Sequence, residues 1–186
     1  MNSGRLILTP EDPYAIADRE QLISLLGAME IMGAPLEKRK NAFAGGEALM
    51  KWISFAGCSP FLRFEPEGPN DDDFCHLRIT IHTTDEPPVF LYGEQTKPPA
   101  CPHCRQPLKE WPPMVEQWRQ SEAKWECSGC GKRVAAPEMN WRRYAGFAKT
   151  LVEIFSIFPG EAVPVPSLLG RLAEETGVKW HYFYVK

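Results

Sequence analysis

The sequence predicts an α+β fold, in which helices pack on one face of a mixed β-sheet and a small module interrupts the chain. Three observations predict this class. The chain has 186 residues, of which 44% are hydrophobic, which is enough for one full-sized core but not for two large ones. Segments with strand-like alternation and segments with helical spacing occur at both ends of the chain. Between them, four of the six cysteines form two C-x-x-C pairs. We expect residues 1–98 and 143–186 to build the α+β domain and residues 99–142 to form an insert.

The first predicted elements are a strand and a helix. Residues 5–8 are apolar after the first position and predict a short strand. From Asp18 onward, apolar residues recur with helical spacing, and Asp18 with Gln21 resembles a capping box that satisfies the first free amides of a helix. Gly33 and Pro35 then provide a helix end.

A charged connector, a second helix and three strands complete the first part of the domain. Residues 37–40 (EKRK) predict an exposed connector, and residues 46–56 predict a helix. Residues 61–64, 74–82 and 89–92 predict strands, because they are rich in β-branched, aromatic and aliphatic residues and are separated by turn-forming segments.

A strand, a helix and a strand follow the insert. Residues 150–158 are β-branched and aromatic, and predict a strand. Residues 166–176 begin with proline and end before Gly177, which is the arrangement favoured at the two ends of a helix. Residues 178–185 alternate and predict the last strand. The two strands of such a unit lie side by side or one apart in a sheet.

The two C-x-x-C pairs are the strongest chemical signal in the chain. They are Cys101 with Cys104 and Cys127 with Cys130, separated by 22 residues. Zn²⁺ prefers four tetrahedral ligands, and each C-x-x-C turn directs two thiolates to one point. Two disulfides are the alternative, which an intracellular location would disfavour. Four thiolates leave no position open for water or substrate, so we expect one structural zinc ion per chain.

The residues around these cysteines resemble a known metal-binding module. Residues 100–104 (ACPHC) and 125–131 (WECSGCG) are similar to the two knuckles of a zinc ribbon, a rubredoxin-like module. The resemblance covers the insert, less than a quarter of the chain. It implies that each knuckle turns sharply so that backbone amides approach the sulfurs. Arg105 departs from the pattern, because glycine is common at that position, and this departure disfavours a rubredoxin-like iron site relative to zinc.

The remaining cysteines and the histidines do not predict a second metal site. His76 and His82 lie six residues apart on one predicted strand, which separates them by about 20 Å. His103 stands between two ligands, where a side chain points outward. We expect Cys58 and Cys75 to be small buried hydrophobic residues.

Charge is distributed unevenly along the chain. The net charge is −3, but residues 1–100 carry 9 basic and 15 acidic side chains, whereas residues 101–149 carry 9 basic and 5 acidic ones. A basic region on an acidic protein suits contact with nucleic acid, where neutralised phosphates release counterions. The residues that we assign to this contact are Lys132, Arg133, Arg142 and Arg143.

Four of the six tryptophans also fall in the insert, at Trp111, Trp118, Trp125 and Trp141. We expect them to cover the metal site or anchor the insert to the main domain; stacking on unpaired bases is the alternative. Two consecutive prolines, Pro112 and Pro113, limit the predicted helix to residues 114–120. We expect residues 112–121 to bulge out from the ribbon.

No motif of a common enzyme class is present, neither a nucleophile elbow, a P-loop, a zinc protease helix nor a zinc deaminase signature. We therefore expect no catalytic activity, with an enzyme whose site is unrecognised as the remaining alternative, and no small-molecule substrate is evident. No apolar run is long enough to cross a membrane, and the first residues lack the pattern of a secretory signal. The expected location is the cytoplasm.

The leading hypothesis is a non-enzymatic zinc-binding protein whose insert contacts nucleic acid. The plan of the chain is also similar to that of uncharacterised bacterial proteins thought to bind nucleic acid. The alternative is a protein-interaction or inhibitor module, in which an acidic surface at Glu65 and residues 71–73 faces a basic partner.

Overall fold

The computed structural model of the protein describes residues 4–56, 62–68, 71 and 73–186. The helices of this part of the chain are α1 (Arg19–Ala28), α2 (Leu49–Trp52), α3 (Trp111–Ser121) and α4 (Pro166–Thr176). Its strands are β1 (Arg5–Pro10), β2 (Met32–Pro35), β3 (Ala42–Gly45), β4 (Ile53–Phe55), β5 (His76–Ile81), β6 (Val89–Leu91), β7 (Trp125–Glu126), β8 (Arg133–Val134), β9 (Gly146–Ala148), β10 (Thr150–Phe155), β11 (Ala162–Pro164) and β12 (Trp180–Val185). The predicted α+β class is confirmed.

The central sheet has six strands in the order β12-β1-β10-β5-β3-β2. Every neighbouring pair in it is antiparallel, so this sheet is antiparallel and not mixed as the sequence predicted. The reason lies in the C-terminal unit. Strands β10 and β12 run parallel to each other, but β1 lies between them and is antiparallel to both. The strand–helix–strand unit therefore places its strands one apart.

Helices α1 and α4 cover one face of this sheet, as the sequence predicts. Their buried leucines pack against the alternate residues of β1 that point to the same side. This core includes Leu6, Leu8, Leu22, Leu26, Leu168 and Leu172, all fully buried. Burying each such side chain stabilises the fold by about 2 kcal/mol. The Asp18 carboxylate accepts a hydrogen bond of 2.7 Å from the amide of Gln21 and so begins α1 as expected.

Between α1 and β4 the structure differs from the prediction. Helix α1 ends at Ala28, before Gly33, and the chain continues into a hairpin of β2 and β3. The helix predicted for residues 46–56 is reduced to α2, because Ile53–Phe55 pairs with the distant strand β11. Of the strand predicted at residues 61–64, Phe61 lies outside the described residues, and residues 62–64 are irregular.

The other face of the sheet is covered in part by the antiparallel pair β6 and β9. Ile7, Leu151 and Phe183 of the sheet pack there against Ala148 of β9 and Leu91 of β6. This pair connects the sheet to the insert, since residues 99–142 lie between β6 and β9 in the chain. No helix in the described part of the chain is both long enough and apolar enough to cross a membrane.

Candidate metal centre and basic surface

The four predicted ligands meet at one point. The Sγ atoms of Cys101 and Cys130 are 3.8 Å apart, those of Cys104 and Cys127 are 3.6 Å apart, and all four lie within 4.8 Å of one another. A regular tetrahedron with zinc–sulfur distances of about 2.3 Å has edges of about 3.8 Å. A disulfide would require about 2.05 Å. The arrangement therefore fits four ligands of a single metal ion.

The second pair of cysteines lies in the hairpin of β7 and β8. The amide of Gly131 donates to the carbonyl of Cys127 at 2.7 Å, and the amide of Cys127 donates to the carbonyl of Lys132 at 2.9 Å. Gly131 has a φ of +67°, the left-handed region that glycine adopts without penalty. Gly129 has a different role, because a Cβ atom there would lie 3.3 Å from the Sγ of Cys104. The two glycines allow the hairpin to close around the sulfurs.

The first pair of cysteines forms the same turn without glycine. The amide of Arg105 donates to the carbonyl of Cys101 at 2.9 Å, and the amide of Cys101 donates to the carbonyl of Gln106 at 2.9 Å. Arg105 has a φ of +65°, nearly that of Gly131. The departure from the zinc-ribbon pattern at this position therefore changes the residue but not the shape of the turn.

The thiols influence one another's ionisation. Burial opposes ionisation of Cys101, but the amides of Cys104 and His103 donate to its sulfur and, with the neighbouring thiols, lower its pKa to about 7. The amide of Gln106 favours the Cys104 thiolate, but burial and the surrounding thiols outweigh it and raise the pKa of Cys104 to about 12. A metal ion must therefore displace protons from this cluster. The His103 side chain is exposed and lies outside the cluster, as predicted.

The insert shares an aromatic core with β6 and β9. Trp118 is only 1% exposed and contacts Phe147 of β9 edge to face, with ring centroids 4.9 Å apart. Trp141 is also buried, lies 4.7 Å from the ring of Phe90 in β6, and donates its indole N–H to the carbonyl of Ala136 at 2.9 Å. These two tryptophans anchor the insert as predicted. Trp111 and Trp125 are half-buried against the same core.

Helix α3 corrects two expectations. It begins at Trp111 rather than Met114, because its two prolines lie in the first turn, where the missing amides have no helical partner. It does not bulge away from the ribbon. Met114, Val115 and Trp118 are buried in the core that also contains Cys101 and Cys127. The long spacer between the cysteine pairs therefore packs against the buried side of the four-cysteine cluster.

The contacts of Cys75, His76 and His82 do not form a second metal site. Cys75 is fully buried, and burial raises the pKa of its thiol to about 12, so it is an inert core residue as predicted. His76 is buried, and the Nδ1 atom of His82 lies 3.7 Å from a carboxylate oxygen of Glu86. Among the described residues, the four-cysteine cluster is the one group of metal-ligating side chains that converge. Cys58 lies outside the described residues.

All four basic residues predicted to contact nucleic acid are exposed. Lys132 and Arg133 lie in the second knuckle, whereas Arg142 and Arg143 form a turn between the insert and β9. In the described part of the chain, none of the four takes part in an ion pair. Lys132, Arg133 and Arg142 therefore carry charges that no described carboxylate neutralises, whereas the guanidinium of Arg143 contacts Tyr182.

The turn at Arg142 and Arg143 has an unusual backbone. Their φ angles are +55° and +63°, so two consecutive residues other than glycine are left-handed. The Asn140 side chain accepts a 2.9 Å hydrogen bond from the amide of Arg142. The Arg143 guanidinium lies 4.2 Å from the ring centroid of Tyr182 and donates to its hydroxyl oxygen. These contacts hold the turn against the edge strand β12.

A cleft of about 280 Å³ opens beside this turn, between the insert and the sheet. Arg142 and Arg143 line it together with Glu11 and His181. Burial lowers the pKa of His181; the carboxylate of Glu11 opposes this shift and the charge of Arg143 adds to it. His181 is therefore neutral at pH 7. The alternation of residues 178–185 predicts only a strand here, since it does not show what packs beside the edge of β12.

The carboxylate of Asp71 is hydrogen-bonded within its own loop. The oxygens of Asp71 accept hydrogen bonds from the amides of Glu67 and Asp73 at 2.8 and 2.9 Å, and Arg63 lies 3.1 Å away. The two amides, aided by Arg63, lower the pKa of Asp71. Asp72 lies outside the described residues. Asp71 therefore stabilises its own loop.

Comparison with protein-family models, with curated proteins and with solved structures gives no match. Functional inference therefore rests on the geometry of the chain itself.

Proposed function

We propose that the protein is a non-catalytic zinc protein in which residues 99–142 form a zinc-ribbon insert that contacts nucleic acid. Four sulfur ligands in a tetrahedron favour zinc or iron, and zinc suits a closed structural site. Cys101 and Cys127 are buried in the aromatic core of the insert, so the ion would link both knuckles to α3. Residues 1–98 and 143–186 would then form the domain that carries the insert.

We assign the protein to the bacterial cytoplasm, where thiols remain reduced. The sulfur separations of 3.6 and 3.8 Å, too long for disulfides, support this location.

The observation that carries the nucleic-acid proposal is the turn at Arg142 and Arg143. A left-handed conformation costs about 1–2 kcal/mol for a residue with a Cβ atom. Such strain persists where surrounding contacts fix it, and it is concentrated at functional sites. Here it places Arg142 and Arg143 side by side at the rim of the cleft, with the Arg143 guanidinium held by Tyr182. The planar guanidinium fork matches the oxygens of a phosphate.

The mode of contact that we propose is with the phosphate backbone rather than with stacked bases. Trp118 and Trp141 are buried and cannot stack on bases. Lys132 and Arg133 add two exposed charges in the second knuckle. Neutralising four phosphates of duplex DNA gives a slope of about −3.6 in a plot of log affinity against log salt. Affinity would then fall about 10²-fold between 50 and 200 mM salt.

Fluorescence anisotropy with labelled single-stranded and duplex oligonucleotides tests this proposal. Arg142→Gln and Lys132→Gln should each weaken binding and reduce the salt slope for duplex DNA by about 0.9. Arg119→Gln is the matched control, because it removes an exposed arginine of α3, in the same insert but outside the proposed surface. Absence of binding at 50 mM salt would refute the proposal, as would an equal effect of Arg119→Gln.

A further inference from the structure

The cleft beside Arg142 and Arg143, which we call the insert cleft, contains groups of both charges. Glu11 lines it together with the two arginines. In the described part of the chain, none of these three residues takes part in an ion pair. The guanidinium of Arg143 is held by the ring and hydroxyl of Tyr182, but a guanidinium has five N–H donors. Both arginines and the carboxylate therefore have hydrogen-bonding capacity left for a ligand.

The sheet face beneath the insert cleft is polar. Thr9 and His181 are direct cross-strand partners of β1 and β12. They lie two residues from Ile7 and Phe183, and so share the face on which β6 and β9 pack. The Thr9 hydroxyl is fully buried and accepts or donates no hydrogen bond within the described residues. The ring nitrogens of His181, which lines the cleft, likewise have no hydrogen-bond partner among those residues.

This combination of groups restricts the chemistry of a ligand. Two guanidinium groups favour phosphate oxygens. The Glu11 carboxylate repels phosphate and can only accept hydrogen bonds, so it favours a ligand that has a donor close to its phosphate. The neutral imidazole of His181 has one donor and one acceptor, which matches a hydroxyl group, itself both donor and acceptor. A phosphate with a neighbouring hydroxyl therefore suits all four side chains.

Nucleic acids offer two kinds of donor, the 2′-hydroxyl of ribose and the amino groups of bases. The 2′-hydroxyl is attached to the ribose carbon next to the one that carries the 3′-phosphate, so a short cleft can hold both groups. The volume of about 280 Å³ lies just below the usual range of small-molecule sites and suits one sugar–phosphate unit. The rings of Trp141, Phe147 and Phe183 that line the cleft are at most 5% exposed and offer no face for stacking a base. These features favour the ribose hydroxyl.

We propose that the nucleic acid is RNA and that the insert cleft recognises its 2′-hydroxyl. This inference rests on the proposed function, because Arg142 and Arg143 hold the adjacent phosphate. The Glu11 carboxylate accepts the hydrogen bond of the hydroxyl, and a ring nitrogen of His181 pairs with its oxygen or its hydrogen. Deoxyribose has no such group, so DNA leaves Glu11 beside the phosphate without a hydrogen bond. The protein then binds RNA in preference to DNA.

Competition binding tests this preference directly. A labelled RNA strand bound to the zinc-loaded protein at 50 mM salt is displaced by unlabelled single strands of one sequence, made as RNA, DNA or 2′-O-methyl RNA. RNA should compete at least about tenfold more strongly than DNA, because a hydrogen bond to a charged acceptor is lost in DNA. The 2′-O-methyl strand should behave as DNA does, since it keeps the ribose oxygen but has no hydrogen to donate.

Variants of the cleft identify the side chains responsible. Glu11→Ala should remove most of the preference for RNA without weakening DNA binding, because it removes the acceptor and also a negative charge near the phosphate. A variant that fails to fold would lose DNA binding as well, so the two cases are distinct. His181→Phe keeps a ring without nitrogen and should reduce the preference about fivefold. Glu94→Ala is the matched control, since it removes an exposed carboxylate outside the cleft, and it should keep the full preference.

The outcomes separate this inference from the proposed function. Equal affinities of the wild type for RNA and DNA would overturn the inference and leave the contact with nucleic acid intact. A preference that 2′-O-methyl RNA retains, or that survives Glu11→Ala, would overturn it in the same way. Absence of binding to every strand at 50 mM salt would instead refute the proposed function, and the inference with it.

Discussion

Position 105 allows a direct test of the two-knuckle geometry. Arg105 and Gly131 occupy equivalent places after the second cysteine of each pair, with φ angles of +65° and +67°. A Cβ atom at Gly131 would meet no atom within 4 Å, so its substitution changes only backbone strain. A residue with a Cβ atom destabilises the folded protein by about 1–2 kcal/mol in this conformation. Its unfolded chain has less conformational entropy than one with glycine, which offsets about half of this cost. The net difference between alanine and glycine is therefore about 1 kcal/mol.

We expect this difference at both positions and with the same sign. Gly131→Ala should lower the free energy of unfolding by about 1 kcal/mol. Arg105→Gly should be more stable than Arg105→Ala by the same amount, and comparing these two variants removes the effect of the lost charge. Urea unfolding of the metal-loaded proteins measures each value. If the two variants at position 105 were equally stable, the left-handed turn at the first knuckle would be wrong.

Three further predictions concern the sheet, the core of the insert and the metal. Glu153→Gln should destabilise the protein by about 1–3 kcal/mol in urea unfolding, because the carboxylate of Glu153, which is 3% exposed, accepts hydrogen bonds from Arg5 and Arg78 and both would lose a charged partner; a loss below about 0.5 kcal/mol would contradict this. Trp118→Ala should lower stability by about 3–5 kcal/mol through the cavity it leaves, and an unchanged midpoint would show that α3 does not pack on the ribbon. Zinc affinity, measured by chelator competition, should fall at least about tenfold per unit as pH drops from 8 to 7, because the pKa of Cys104 is about 12 and this thiol must release a proton. The fall should steepen below pH 7, where Cys101, with a pKa of about 7, also becomes protonated. An affinity independent of pH would exclude thiolate ligation.

Elements specified by local signals were predictable from the sequence. Helix α4 has the predicted bounds, because proline at its first position and the left-handed Gly177 after its last residue act within a few residues of the helix itself. The four-cysteine cluster was predictable for the same reason, since a C-x-x-C turn is local and only the meeting of two turns requires the fold.

Elements specified by distant partners were not predictable. The hairpin of β2 and β3 is poor in β-forming residues, and it exists because β3 pairs with β5. Close packing also fixes the position at which this hairpin ends, directly after β3. A Cβ atom at Gly46 would lie 2.1 Å from the carbonyl oxygen of Glu30. No sequence pattern within residues 32–46 predicts the pairing of β3 with β5 or the close approach of Gly46 to Glu30.

The ion pairs of Glu153 illustrate the same limit on the sheet face opposite α1 and α4. Arg5 and Arg78 lie far apart within residues 1–100, where acidic side chains outnumber basic ones. Average charge along the chain therefore predicted an acidic region. Pairing of β10 with β1 and β5 brings Arg5 and Arg78 to one carboxylate, a juxtaposition that only the sheet register reveals.

The metal content of the purified protein tests the central claim most directly. Elemental analysis combined with native mass spectrometry should find one zinc ion per chain, and Cys127→Ser should reduce zinc content and destabilise the protein, whereas Cys75→Ser should retain the metal. A protein that folds without zinc, or a Cys127→Ser variant that keeps a full equivalent of zinc, would contradict the four-cysteine centre.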